Sequence, residues 1–226
     1  MSEVVEIRSL SKSFSSGKEK LHILKGIDLN IRSGEIVAIQ GPSGCGKSTL
    51  ISVIAGLDSF DSGEIKVLKT LQTKLSSAAW NEFRAKNIGI IFQQFHLLEH
   101  LTAIENIRLP LDLKGDQNAD ELASSALERV GLKDRALHFP RELSRGESQR
   151  VAVARALVMK PRLILADEPT ASLDVKTGIL IGEMIFKLAK AENIAALVVT
   201  HDPSIAELCD HTYVMQDGKL FLKAEA

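Results

Sequence analysis

The feature that most constrains this chain is the run GPSGCGKST at residues 41–49. It follows the β-rich run EIVAI at residues 35–39 and leads into the apolar, helix-patterned segment LISVIA at residues 50–55. Gly41, Gly44 and Gly46 leave backbone N–H groups free to turn inward where side chains would obstruct, and the helix that follows aims its positive dipole end at the same point. A loop of this kind holds an anion. The G-x-x-x-x-G-K-[ST] spacing adds Lys47 for the β- and γ-phosphates of a nucleotide and the Ser48 hydroxyl for Mg²⁺, with Pro42, Ser43, Cys45 and Thr49 as the remaining loop contacts. The alternative is a chance glycine turn, and the strand-loop-helix context argues against it. Cys45 reads most simply as a small loop residue whose alkylation would block the nucleotide.

The second constraint is RLILADEPTASLD at residues 162–174. Four apolar residues from Leu163 to Ala166 make a buried strand that delivers Asp167 and Glu168 to its C-terminal edge, where open α/β sheets place ligands. Asp167 suits the Mg²⁺ shell, and Glu168 suits orienting or polarising the water that attacks the γ-phosphate. Taken alone, an acidic turn ahead of Pro169 would be the simpler reading; the upstream phosphate loop tips the balance.

The rest of the chain alternates between two textures. Short β-rich runs occur at residues 4–10, 26–31, 35–39 and 64–68, and helical patterns at 76–86, 103–113 and 119–130. Thr102 and Glu105 have capping-box spacing ahead of the second helix. Continuous apolar strands follow at 162–166 and 195–200, separated by a helix at 175–192 that buries Ile181, Met184, Ile185 and Leu188. Asp217-Gly218 marks a hairpin within residues 211–223. The outline is an α/β core, residues 1–92 and 159–226, interrupted by a mostly helical insertion at 93–158, all within one domain of 226 residues. Lys12, Lys18, Lys20 and Lys25 read as a solvated loop.

Composition excludes several classes. With 28 Lys plus Arg against 29 Asp plus Glu, the net charge of −1 argues against a dedicated nucleic-acid binder. No apolar run approaches the ~18 residues needed to span a bilayer. The first ten residues lack the basic cap and apolar core of a secretory signal, and two cysteines, Cys45 and Cys209, make no disulfide framework. A reducing, cytosolic setting is expected.

LSRGESQRVAVARAL at residues 143–157 resembles the signature motif of ATP-binding-cassette (ABC) ATPases, and it lies upstream of the acidic strand as in that family. Gln93 in IIFQQF, Asp174 in ASLD and His201 after VVT agree, so five ordered motifs carry the resemblance over the whole chain. It implies a RecA-like P-loop core with an N-terminal antiparallel β-lobe and an inserted helical subdomain. It also implies two copies facing head to tail, the signature residues Ser144, Arg145, Gly146 and Glu147 of one set against the other, with Ser144 and Gly146 contacting the γ-phosphate held there at residues 41–49. Gln93 would touch Mg²⁺ and the attacking water, Asp174 would communicate across the dimer, His201 would hydrogen-bond the γ-phosphate, and Phe14 would stack on adenine. The family usually has glycine where this chain has Arg145 and glutamine where it has Ser148, while Gln149 remains. An arginine is compatible with activity if its side chain points away from the nucleotide.

FQQFHLLEHLTAIENIRLPL at residues 92–111 looks most like the branch of lipoprotein-release, macrolide-export and cell-division ATPases. That resemblance implies an ATPase peripheral on the cytoplasmic face of the cell membrane, bound to a separate permease with an extracytoplasmic domain and driving export or extraction. Residues 93–100 would form the docking surface. A second reading keeps the same ATPase but has it regulate a periplasmic cell-wall hydrolase through a membrane partner, moving no substrate. A soluble ATPase of DNA repair or translation fits poorly, since one set of motifs leaves no room for paired cassettes or a long coiled coil.

Overall fold

The computed structural model describes residues 2–16 and 19–223. Its N-terminal strands run longer than their apolar patterns indicate. β1 (Glu3–Ser16) and β2 (Glu19–Arg32) pair antiparallel from Glu3↔Arg32 to Ser16↔Glu19. Lys20 and Lys25 are therefore exposed residues of a strand, and Lys12 is a buried one, correcting the solvated-loop reading; Lys18 lies outside the described residues. Register shifts at Leu10/Ser11 and Lys12/Ser13 break the two-residue alternation that reveals a strand in sequence.

Next come β3 (Ile36–Gln40), α1 (Lys47–Ala55), β4 (Ser62–Val67) and β5 (Thr70–Leu71), then α2 (Ser77–Asn87) and β6 (Ile88–Ile91). Three helices follow: α3 (Ala103–Lys114), α4 (Ala119–Arg129) and α5 (Arg145–Leu157). The chain closes with β7 (Leu163–Asp167), α6 (Val175–Ala191), β8 (Ala195–Val199), α7 (Pro203–Ala206), β9 (His211–Gln216) and β10 (Lys219–Leu222). The Thr102–Glu105 capping box opens α3 as its spacing indicates, and Asp217 and Gly218, at φ 50° and 77°, make the two-residue turn between β9 and β10.

The strands form two sheets. One is antiparallel, in the order β2-β1-β4-β5; the other has the order β10-β9-β3-β8-β7-β6, all parallel except β10. Every residue of β8 is buried, as expected for a parallel strand covered on both faces. One face packs through Val37, Ile39, Leu165 and Leu197 against α1 and the antiparallel sheet. The other packs through Ile164, Ala196 and Val198 against Ile181, Ile185 and Phe186 of α6. A third core, built from Ile107, Leu111, Ala123, Leu127, Val151 and Ala154, joins α3, α4 and α5.

Candidate active site

Because β3, β6, β7 and β8 run parallel, their C-terminal ends share one edge, and that edge collects the loop at 41–49, Gln93, the Asp167–Glu168 pair and His201. The loop needs its glycines for shape. A Cβ on Gly41 would collide with the Met215 carbonyl, and Gly46 sits at φ 111° with Ile23 and Leu24 of β2 directly beside it. Gly46 caps α1 without any side-chain bond to the first-turn N–H groups, and no acidic residue occupies that turn, so the positive helix end stays open. Lys47 is buried, and its ammonium donates to the carbonyls of Gly41 (2.8 Å) and Pro42 (2.9 Å). Pro42, Ser43, Gly44 and Ser48 are exposed, Thr49 is half-buried, and Cys45 packs against the core, as suits a small loop residue.

Across from the loop, Ser48 Oγ donates to Asp167 Oδ1 at 3.0 Å. Burial pushes the Asp167 carboxyl above its ordinary value; the Ser48 hydrogen bond opposes this, and the neighbouring Glu168 charge adds to it. Glu168 adopts φ 48°, unusual for a residue with a side chain, and its Oε2 accepts from the His201 ring Nδ1 at 2.8 Å and from the His201 backbone N–H at 3.3 Å. The acid and the histidine thus already touch. Gln93 is exposed, and its carbonyl accepts from Ser172 Oγ at 3.1 Å.

The signature segment is built differently. Ser144 caps α5: its Oγ accepts from Glu147 N–H (3.2 Å) while Glu147 Oε2 accepts from Ser144 N–H (2.8 Å). Arg135 Nε donates to the other Glu147 oxygen at 2.9 Å. The Ser144 N–H bond first, then Arg135, holds the Glu147 carboxyl down at about 2. Arg145 turns toward its own chain, its Nη1 donating to the Ser172 carbonyl at 3.3 Å. One turn on, Gln149 is fully buried and donates to the Pro169 carbonyl at 2.6 Å, so α5 grips the loop after Glu168 at two points. Neither Gln149 nor Ser172 shows this role in the sequence, because both contacts are tertiary.

Ser144, Arg145 and Gly146 line a cleft of about 970 Å³ with Ser172, Asp174 and Thr177, and the loop at 41–49 takes no part in its lining. Asp174 caps α6 by accepting from Thr177 N–H at 3.0 Å, and that bond lowers its carboxyl below the ordinary range. Phe14 lies on β1 opposite Leu21 and is 42% exposed, with the Lys12 ammonium 4.7 Å from its ring centre. Sequence reasoning missed Lys12, because the register shift at Lys12/Ser13 removes the alternation that would place it with Phe14.

Open backbone donors around a buried lysine, facing a hydroxyl and two carboxylates on the same sheet edge, define a nucleoside triphosphatase of the phosphate-loop kind. The particular family follows from comparison. The family model described as "ABC transporter" matches residues 24–171, and the chain belongs to that family. A lipoprotein-releasing system ATP-binding protein from Pseudoalteromonas translucida (strain TAC 125) is 44% identical over 97% of this chain and 96% of the relative. One of the same description from Legionella pneumophila (strain Paris) is 42% identical over 97% and 98%. Among solved structures, the dimeric post-hydrolysis state of the cassette MJ0796 bound to ADP and Pi superposes with a TM-score of 0.88, at 37% identity, covering 98% of this chain and 97% of that one. The chain is an ATP-binding and ATP-hydrolysing subunit of an ABC transporter. No helix among the described residues is long and apolar enough to cross a membrane.

Proposed function

We propose that two copies of this chain enclose ATP head to tail and drive a separate membrane permease of the lipoprotein-releasing kind, with an extracytoplasmic domain, from the cytoplasmic face. What carries this reading is near full-length similarity to relatives bearing that description. In each site the loop at 41–49 and Lys47 hold the phosphates, Lys47 exchanging the Gly41 and Pro42 carbonyls for phosphate oxygens. Ser144 and Gly146 of the second copy close over the γ-phosphate. Glu168 orients the attacking water, and His201, now bonded to Glu168, donates to the γ-phosphate once the nucleotide is in place.

The Ser48–Asp167 pair suits Mg²⁺, since two hard oxygen ligands stand 3.0 Å apart and burial makes the Asp167 charge costly without a cation. When bound, the ion neutralises charge developing on the phosphate oxygens. Ser48 and Asp167 would hold it, with the Gln93 side-chain oxygen as a further donor; Asp174 reports the state of one site to the other copy.

Docking falls on residues 93–100 together with the groove of about 660 Å³ lined by Ile90, Phe92, Leu109, Pro110 and Leu113, with Leu113 81% exposed. Beside it, Arg155 of α5 donates to the carbonyls of His96 (2.7 Å) and Phe95 (2.9 Å). Motion at the groove thereby reaches the helix that begins at Ser144. Isolation of the protein with its companions from native membranes tests the assignment: a co-purifying permease that binds lipoproteins is expected. A partner that binds a cell-wall hydrolase and no lipoprotein would replace it with the regulatory reading.

A further inference from the structure

Lys12 stands in a place where an unpaired lysine would be costly. Only 6% of it is exposed, and its ammonium donates to Asp58 Oδ1 at 2.9 Å and to Ser59 Oγ at 3.4 Å. The same ammonium lies 4.7 Å from the centre of the Phe14 ring. Asp58 and Ser59 follow the C-terminal end of α1, the helix that starts in the phosphate loop, and Lys12 pairs in β1 with Leu24, a residue packed on Gly46 of that loop. Lys12, over which the ring sits, is thus held both by the residues that follow α1 and by its strand partner beside the loop. The cation lies over one face of the Phe14 ring, and 42% of the residue is still exposed, so ring surface remains available to a further planar group.

We infer that Lys12 is the positioning residue of the base subsite, holding and polarising Phe14 so that its open face stacks on the adenine of ATP; this rests on the reading of Phe14 as the adenine contact. Two physical effects combine. Anchored by Asp58, the ammonium fixes the ring before the nucleotide arrives, which lowers the ordering cost of binding. It also draws π density to the covered face, so the outer face meets the electron-rich purine with less repulsion between the two π clouds. Neither effect touches the phosphates.

The test separates base from phosphate. Calorimetric titration of the full chain with ATP and with inorganic tripolyphosphate, which has no base, compares wild type with Lys12→Met, Lys12→Arg and Phe14→Ala. Lys12→Met is expected to weaken ATP by about three- to tenfold while leaving tripolyphosphate unchanged. Lys12→Arg, which keeps the cation, restores ATP affinity, and Lys12→Met adds nothing in a Phe14→Ala background. Equal losses for both ligands, or no loss for either, overturn the role of Lys12. If Phe14→Ala leaves the preference for ATP over tripolyphosphate intact, the adenine contact itself is wrong, and that outcome is distinct from the others.

Discussion

Two helix N-termini carry the phosphate chemistry proposed for this protein, and they are finished in opposite ways. α1 begins at Gly46 with no side-chain cap and no acid in its first turn. α5 begins at Ser144 with a complete capping box and the Glu147 carboxylate in its first turn, reinforced by Arg135. An uncapped end has backbone donors to spare and a positive field for an anion. At the capped end the Ser144 and Glu147 N–H groups are already engaged, and the Glu147 carboxylate offsets the positive field. The difference fits the proposed division of labour, in which the α1 end captures ATP by itself and the α5 end adds a contact only when phosphate is presented to it already bound. Its cleft opens beside Asp174, away from the loop at 41–49 of the same chain.

That contrast breaks most visibly at the acid. Glu168→Gln is expected to lower kcat by at least about a hundredfold while ATP still binds, because capture at α1 survives and the water loses its partner. A single-turnover assay alongside nucleotide binding checks it. Lys47→Ala should weaken ATP binding by about tenfold or more, seen by titration of the monomer; unchanged affinity would mean the open end of α1 is not the capture site. Ser144→Ala removes the α5 cap at a cost of about 1 kcal/mol in chemical unfolding, and slows turnover without changing ATP affinity.

Acid sharpens the comparison further. The Glu147 carboxyl is held at about 2 against an ordinary 4.5, so its contribution to folding is complete above 4.5 and is lost as the pH falls toward 2. Glu147→Gln should therefore cost stability near neutral pH and lose progressively less relative to wild type as the pH drops through that window, followed by thermal melting. The smallest effect is expected from Arg145→Gly. It gives up one hydrogen bond of an exposed side chain to the Ser172 carbonyl, so stability should change by about 0.5 kcal/mol.

What the sequence revealed, and what it hid, follows the same physics. The parallel strands were readable because burial on both faces makes continuous apolar runs, and the Thr102 cap announces itself by residue type and its spacing to Glu105. β6 escaped because four residues, IGII, between a helix and a loop carry no period of their own; only pairing with β7 makes them a strand. Lys12 was hidden by its lysine-rich company. Its burial depends on Asp58, 46 positions away, and no local pattern encodes that partner. The orientation of Arg145, set by the Ser172 carbonyl, was equally out of reach.

In the proposed cycle the α5 tip serves a second copy and not its own chain. Light scattering with ATP and nucleotide titration, comparing Glu168→Gln with Glu168→Gln plus Ser144→Arg, tests it most directly. The first variant should form an ATP-dependent dimer, and the second should stay a monomer that binds ATP with undiminished affinity. A second variant that dimerises like the first, or a monomer that has lost ATP, would contradict it.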